Sequence, residues 1–163
     1  MSRTDVGQLR AVVLGAETAA GRALAAVLAS ARLAIVAATN DAGAAFEVQR
    51  LGRRLQAPAQ AIDATNEMAT RVMMRQIAKE LGGLDLIAFC ADLGPATGPA
   101  LALAARFAAR EMLRSGGGTI VVAAAAALTE PPPEGVDVLT VKPPPAPDEA
   151  WARTALDRLR ANP

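Results

Sequence analysis

Arg10-Ala11-Val12-Val13-Leu14-Gly15-Ala16-Glu17-Thr18-Ala19-Ala20-Gly21 passes from a short apolar run, through a glycine, into an alanine- and leucine-rich run that reaches about Arg32. The first part predicts a buried strand over 10–14, and the second a helix beginning near Thr18. Glycines at such a junction serve a tight turn, close approach of backbone to a phosphate, and close helix-on-sheet packing. The amides at the start of the helix then face an anion.

Outward from this junction, short apolar runs alternate with longer amphipathic ones, the pattern of βαβ units and a parallel sheet. Strands are predicted at 33–38, 59–62, 84–91, 119–126 and 136–141. Helices are predicted at 42–55, from a Thr65 or Asn66 cap to Leu81, at 100–114 and at 148–161. Phe46, Leu51 and Leu55 would form the buried stripe of the second helix. The run 84–91 is apolar apart from Asp85, so it belongs inside the sheet. Three consecutive prolines in 129–135 exclude a crossover helix there. The strand at 136–141 therefore either pairs antiparallel or is reached by extended chain crossing the sheet. This gives one α/β domain over 1–163: a three-layer α/β/α unit with a mainly parallel sheet of about six strands. Its core βαβ units span 10–126, and 127–163 is a shortened, proline-rich C-terminal part.

Composition removes several chemistries. The chain has 163 residues, no His, no Tyr and one Cys. A Ser-His-Asp triad, a Cys-His dyad and a His-ligated zinc site are impossible within it, and no metal site is expected. Lysine occurs only at Lys79 and Lys142, and serine only at Ser2, Ser30 and Ser115. A lone Cys90 forms no internal disulfide, and its buried setting reads as packing rather than catalysis. The net charge of +1 gives no general reason to expect nucleic acid or an anionic membrane as partner. No apolar run approaches a bilayer span, so the expectation is a cytoplasmic protein without membrane insertion.

Several stations in order resemble the short-chain dehydrogenase/reductase family, whose Rossmann-type loop reads Thr-Gly-x-x-x-Gly-x-Gly. Here Leu14 replaces the Thr, Gly15 and Gly21 match, and Ala19 takes the place of the middle glycine. Asp63, Leu84-Asp85-Leu86-Ile87, Gly118-Thr119-Ile120-Val121 and Gly135-Val136-Asp137-Val138 fall where that family carries related motifs, over roughly residues 10 to 142. The resemblance implies a cofactor against Gly15, Glu17, Thr18, Ala19 and Gly21, against Thr39 and Asn40, and against Asp63 and Ala91. Glu17 adds a negative charge to a loop that should welcome phosphate. The lack of an acidic residue at Thr39 favours NADP over NAD, with Arg22 or Arg53-Arg54 as candidate phosphate partners.

The same resemblance exposes what is missing. The family's acid/base Tyr has no counterpart, because the chain has no Tyr. Its Ser falls in Ala123-Ala124-Ala125-Ala126-Ala127. The helix carrying Tyr and Lys is replaced by 129–135, and Asn-Asn-Ala-Gly appears as Phe89-Cys90-Ala91-Asp92. No catalytic residue is therefore assigned. The leading expectation is a non-catalytic binding or assembly subunit, a homo-oligomer or one with a protein partner, whose last helix either presents Trp151 and Leu156 to that partner or folds back on its own sheet. The alternatives are an NADP-dependent oxidoreductase with a non-standard or partner-supplied site, a dinucleotide sensor, and a domain that binds no cofactor.

Overall fold

Six parallel strands form the sheet of this computed structural model, which describes residues 8–161. The strands are β1 (Arg10–Leu14), β2 (Arg32–Ala37), β3 (Ala59–Ala61), β4 (Leu86–Phe89), β5 (Gly118–Val122) and β6 (Val136–Thr140). They lie in the order β3-β2-β1-β4-β5-β6, the Rossmann arrangement. The helices are α1 (Ala19–Val27), α2 (Ala42–Leu55), α3 (Glu67–Leu81), α4 (Thr97–Arg114) and α5 (Glu149–Ala161). α1, α2 and α5 pack on one face of the sheet, and α3 and α4 on the other.

The open question of β6 resolves to parallel: Gly118 pairs with Val136 and Val122 with Thr140. Residues 123–135 supply the dozen or so positions that a parallel return needs, and extended chain does the work of a helix. β5 is shorter than its apolar sequence suggests. β4 ends at Phe89, so Ala123 and the alanines after it leave the sheet once no neighbour remains to pair with. α1 likewise stops at Val27 rather than near Arg32. Arg32 is already the first residue of β2, and the chain reverses over the four residues between Val27 and Arg32.

α2 buries Val48, Leu51 and Gly52, with Leu55 partly covered. Phe46 is 57% exposed, contrary to the predicted stripe. It stands two positions before Val48, about 200° around the helix, and so faces solvent. α5 folds back onto its own sheet. Ala152, Ala155 and Leu156 are buried there and Trp151 packs against the same cluster, so Leu156 is not presented to a partner.

At the amino ends of β1 and β4, Arg10 clasps Asp85. Nε meets Oδ2 at 2.9 Å, Nη2 meets Oδ1 at 3.0 Å, and the Arg10 amide also donates to Oδ2 at 3.0 Å. A pair of this kind, about a quarter exposed, contributes on the order of 1 kcal/mol. No described helix is long and apolar enough to cross a membrane.

Candidate functional site

The carboxyl ends of β1 and β4 lie side by side at the point where strand order reverses, and the loops leaving them diverge to opposite faces. That crevice is where ligands bind in sheets of this kind. Gly15 leaves β1 with φ +98°, and a Cβ there would lie 2.4 Å from the Ala91 amide nitrogen and 2.7 Å from its Cα. Only glycine allows the two strand ends to approach this closely. Gly21 is needed for a different contact, since a Cβ on it would lie within 2.1 Å of the Gly15 carbonyl oxygen. It sets α1 against the turn.

Thr18 ties the junction together. Its hydroxyl oxygen accepts the Gly21 N–H at 3.0 Å, capping α1. Its single proton is directed between the carbonyls of Gly15, at 2.9 Å, and Cys90, at 3.0 Å. Such a cap is worth about 1 kcal/mol. The Ala19 and Ala20 amides, at the first two helical positions, have no partner among the described residues. They are the donors a phosphate would take. Ala19 itself is exposed, so its extra methyl meets solvent rather than packed backbone.

Glu17 does not point its charge at those amides. Its carboxylate reaches across to the end of β2 and accepts the Ala38 N–H at 3.1 Å, while the Arg22 guanidinium donates to the Glu17 carbonyl at 2.6 Å. Thr39 and Asn40 form a polar turn beside it. The Thr39 hydroxyl accepts from the Asp41 amide at 3.2 Å, and Asp41 in turn caps α2 through the Ala44 N–H at 3.0 Å. Asp63 leaves β3 at the same edge. Its carboxylate accepts from the Thr65 amide at 3.0 Å and hydroxyl at 2.6 Å, which holds its pKa below the ordinary carboxylate value. Arg53 and Arg54 occupy the last turn of α2, which runs back from the carboxyl edge of the sheet. At 1.5 Å per residue they lie roughly 17 Å from its start, so they do not reach this corner.

The predicted cofactor residues thus separate into two groups. Gly15, Glu17, Thr18, Ala19, Gly21 and Ala91 converge at the β1–β4 crevice. Thr39, Asn40 and Asp63 follow along the same edge at the ends of β2 and β3. The sequence did not reveal that Glu17 and Ala38 meet, because the contact joins a loop to a separate strand. The other side of the crevice is apolar. After Val122 it carries Ala123 to Ala127, and Cys90 is buried at 3% exposure. Burial raises the Cys90 thiol's pKa strongly, and the charge of Glu17 raises it further, so it stays protonated. Among the described residues no cluster of three or more His, Cys, Asp or Glu could hold a metal ion.

α4 and the proline-rich connection enclose a groove of about 630 Å³. Its walls include Leu103, Ala109, Leu113, Ile120, Leu128 and Pro132.

Solved structures share this architecture. A short-chain type dehydrogenase/reductase from Mycobacterium marinum matches 76% of the chain at 28% identity, with a TM-score of 0.59. Another from Mycobacterium ulcerans matches 75% at 28% identity and 0.55. NADPH-dependent 3-quinuclidinone reductase from Rhodotorula rubra, at 15% identity and 0.56, shares the fold alone. The matches cover 59%, 52% and 54% of those proteins, so the chain spans between half and three fifths of their length. No family model matches the sequence, and neither does any curated protein. The chain has a short-chain dehydrogenase/reductase-like fold.

Proposed function

We propose that this chain is a dinucleotide-binding domain that acts by binding rather than by turnover. The reading is carried by one contrast at the crevice. The turn from Gly15 to Gly21 keeps its tight packing, its Thr18 cap and two open amides, while the neighbouring edge after Val122 offers only alanine. A bound nicotinamide dinucleotide would supply hydride chemistry. The chain's own residues hold the pyrophosphate at Ala19 and Ala20, and the adenosine end between Thr39 and Asp63.

Thr39, just past the end of β2, is not acidic, which from sequence favoured NADP. Glu17 changes that balance, because its carboxylate stands at the end of β2 where the ribose would lie. We therefore place NAD ahead of NADP. We further propose assembly: a second copy of this chain covers the apolar part of the groove along α4, at Leu103, Leu113, Leu128 and Pro132, and leaves Arg110 open.

Thermal shift with NAD, NADH, NADP and NADPH tests the reading. A ligand that binds only the folded chain raises the melting temperature, and no shift with any of the four overturns cofactor binding. Reduction of a carbonyl panel by the purified chain overturns the non-catalytic part. Light scattering on the eluting protein reads the assembly part, which a clean monomer with no co-purifying subunit contradicts.

A further inference from the structure

On the face of the sheet opposite α1, α3 and α4 pack side by side. Their solvent sides carry arginine at helical spacing: Arg71 and Arg75 on α3, and Arg106, Arg110 and Arg114 on α4. Like charges one turn apart destabilise a helix, so five on one surface need a counter-charge. The protein supplies only part of it. Arg106 bonds Glu67 at 2.5 Å, and Arg114 lies 3.3 Å from Glu111. No carboxylate among the described residues lies within 4.0 Å of Arg71, Arg75 or Arg110. The chain's net charge is only +1, so this concentration is local.

The cluster also has shape. Arg71, Arg75, Arg110 and Arg114 line a depression of about 260 Å³ together with Phe107 and Glu111. Phe107 is 4% exposed, and two guanidinium groups lie over its ring, Arg106 at 4.8 Å and Arg110 at 5.1 Å from the centroid. Of the two, Arg110 lines the depression, and the ring holds its plane in place before any ligand arrives. Planar guanidinium groups fixed in this way suit the paired oxygens of phosphate. Arg114 ends α4 at the amino edge of the sheet, whereas the Gly15 turn lies at the carboxyl edge and on the other face. The two sites are separate.

We propose that this depression binds a ligand bearing two or more adjacent phosphate groups, either a free oligophosphate or the headgroup of a phosphorylated lipid. Adjacent phosphates give enough charge and enough oxygens to engage arginines from both helices at once, which a single small anion such as sulfate does not.

Titration calorimetry with inorganic tripolyphosphate, beside equimolar sulfate, tests the proposal on the full chain. Tripolyphosphate binds and sulfate does not, and the double variant Arg71→Gln/Arg75→Gln, like Arg110→Gln, weakens binding about tenfold or more. Arg50→Gln, a surface arginine on the other side of the sheet, leaves it unchanged. All four substitutions are at exposed positions, and circular dichroism verifies that each variant is folded. Sedimentation with phosphatidylcholine vesicles, with and without phosphatidylinositol bisphosphate, separates the two sources. Binding to the doped vesicles assigns the ligand to a lipid headgroup, and tripolyphosphate binding without vesicle binding assigns it to a free solute. Failure to bind either, equal binding of sulfate, or full binding retained by the α3 and α4 variants overturns the proposal.

Discussion

Replacing Gly15 with alanine tests whether the close approach of β1 to β4 is what the turn requires. Two costs can be taken from the geometry. A φ of +98° puts a side chain in a conformation that costs about 1–2 kcal/mol. The new Cβ would then sit 2.4–2.7 Å from backbone atoms of Cys90 and Ala91, which directly follow β4 and, being main chain, cannot rotate away. Forced overlap of this kind costs roughly 1–3 kcal/mol. The stiffer unfolded chain returns about 0.4–1 kcal/mol. The expected net loss is about 1–5 kcal/mol, or roughly 2–20 °C in melting temperature for a chain of this size. Two other glycines calibrate the number. Gly94, at φ +59° with nothing within 4 Å of a Cβ, carries only the conformational cost, so Gly94→Ala loses about 1 kcal/mol or less. Gly98, in the first turn of α4 and also open, gains about 0.5–1 kcal/mol as alanine. Urea unfolding of the three variants gives the order directly. If Gly15→Ala is no more destabilising than Gly94→Ala, contact with β4 is not what fixes glycine at the turn.

Glu17→Gln removes the charge beside the ribose position while keeping a group that can accept from Ala38. Repulsion of a 2′-phosphate a few ångströms away is worth about 1–3 kcal/mol, so NADP affinity rises roughly 10- to 100-fold and NAD changes little. An unchanged ratio in competitive titration refutes the placement of Glu17. Cys90, buried and with its pKa raised, stays unmodified by iodoacetamide in the folded chain near pH 8 and reacts on unfolding, as mass spectrometry would show. Asp63 has its pKa lowered by the Thr65 hydroxyl and amide, so the associated stability is present above the ordinary aspartate pKa and is lost as pH falls through the lower folded one. Thr65→Ala removes the larger of those two causes, and carboxyl NMR titration then finds Asp63 closer to its ordinary value.

The sequence carried most of the framework where local chemistry was strong. The span of α2, the Asn66 cap of α3 and the span of β1 all follow from periodicity, capping side chains and the glycine that ends a strand. It was weaker where an element depends on a neighbour. β5 stops because β4 stops, and no residue in Ala123 to Ala127 announces it. The direction of β6 follows from how far 123–135 reaches, which composition does not encode. At the site, Gly15, Thr18 and Gly21 were legible because the need for small or capping residues is local. Glu17 was legible as a charge but not as a partner of Ala38. The grouping of Arg71 and Arg75 with Arg110 and Arg114 required knowing that α3 and α4 pack together.

The link between β1 and β4 also divides the chain as it folds. Val12 pairs with Ala34, whereas Val13 pairs with Ala88, across roughly three times as much intervening chain. Closing the longer loop costs about 1 kcal/mol more entropy. The β1–β3 and β4–β6 halves each form from nearer contacts, and the seam between them is the most expensive to close. Arg10 and Asp85 fasten one end of that seam, and Gly15 against Ala91 forms the other. Anything held at the Gly15 turn would therefore bridge the two halves at the seam whose closure costs the most entropy.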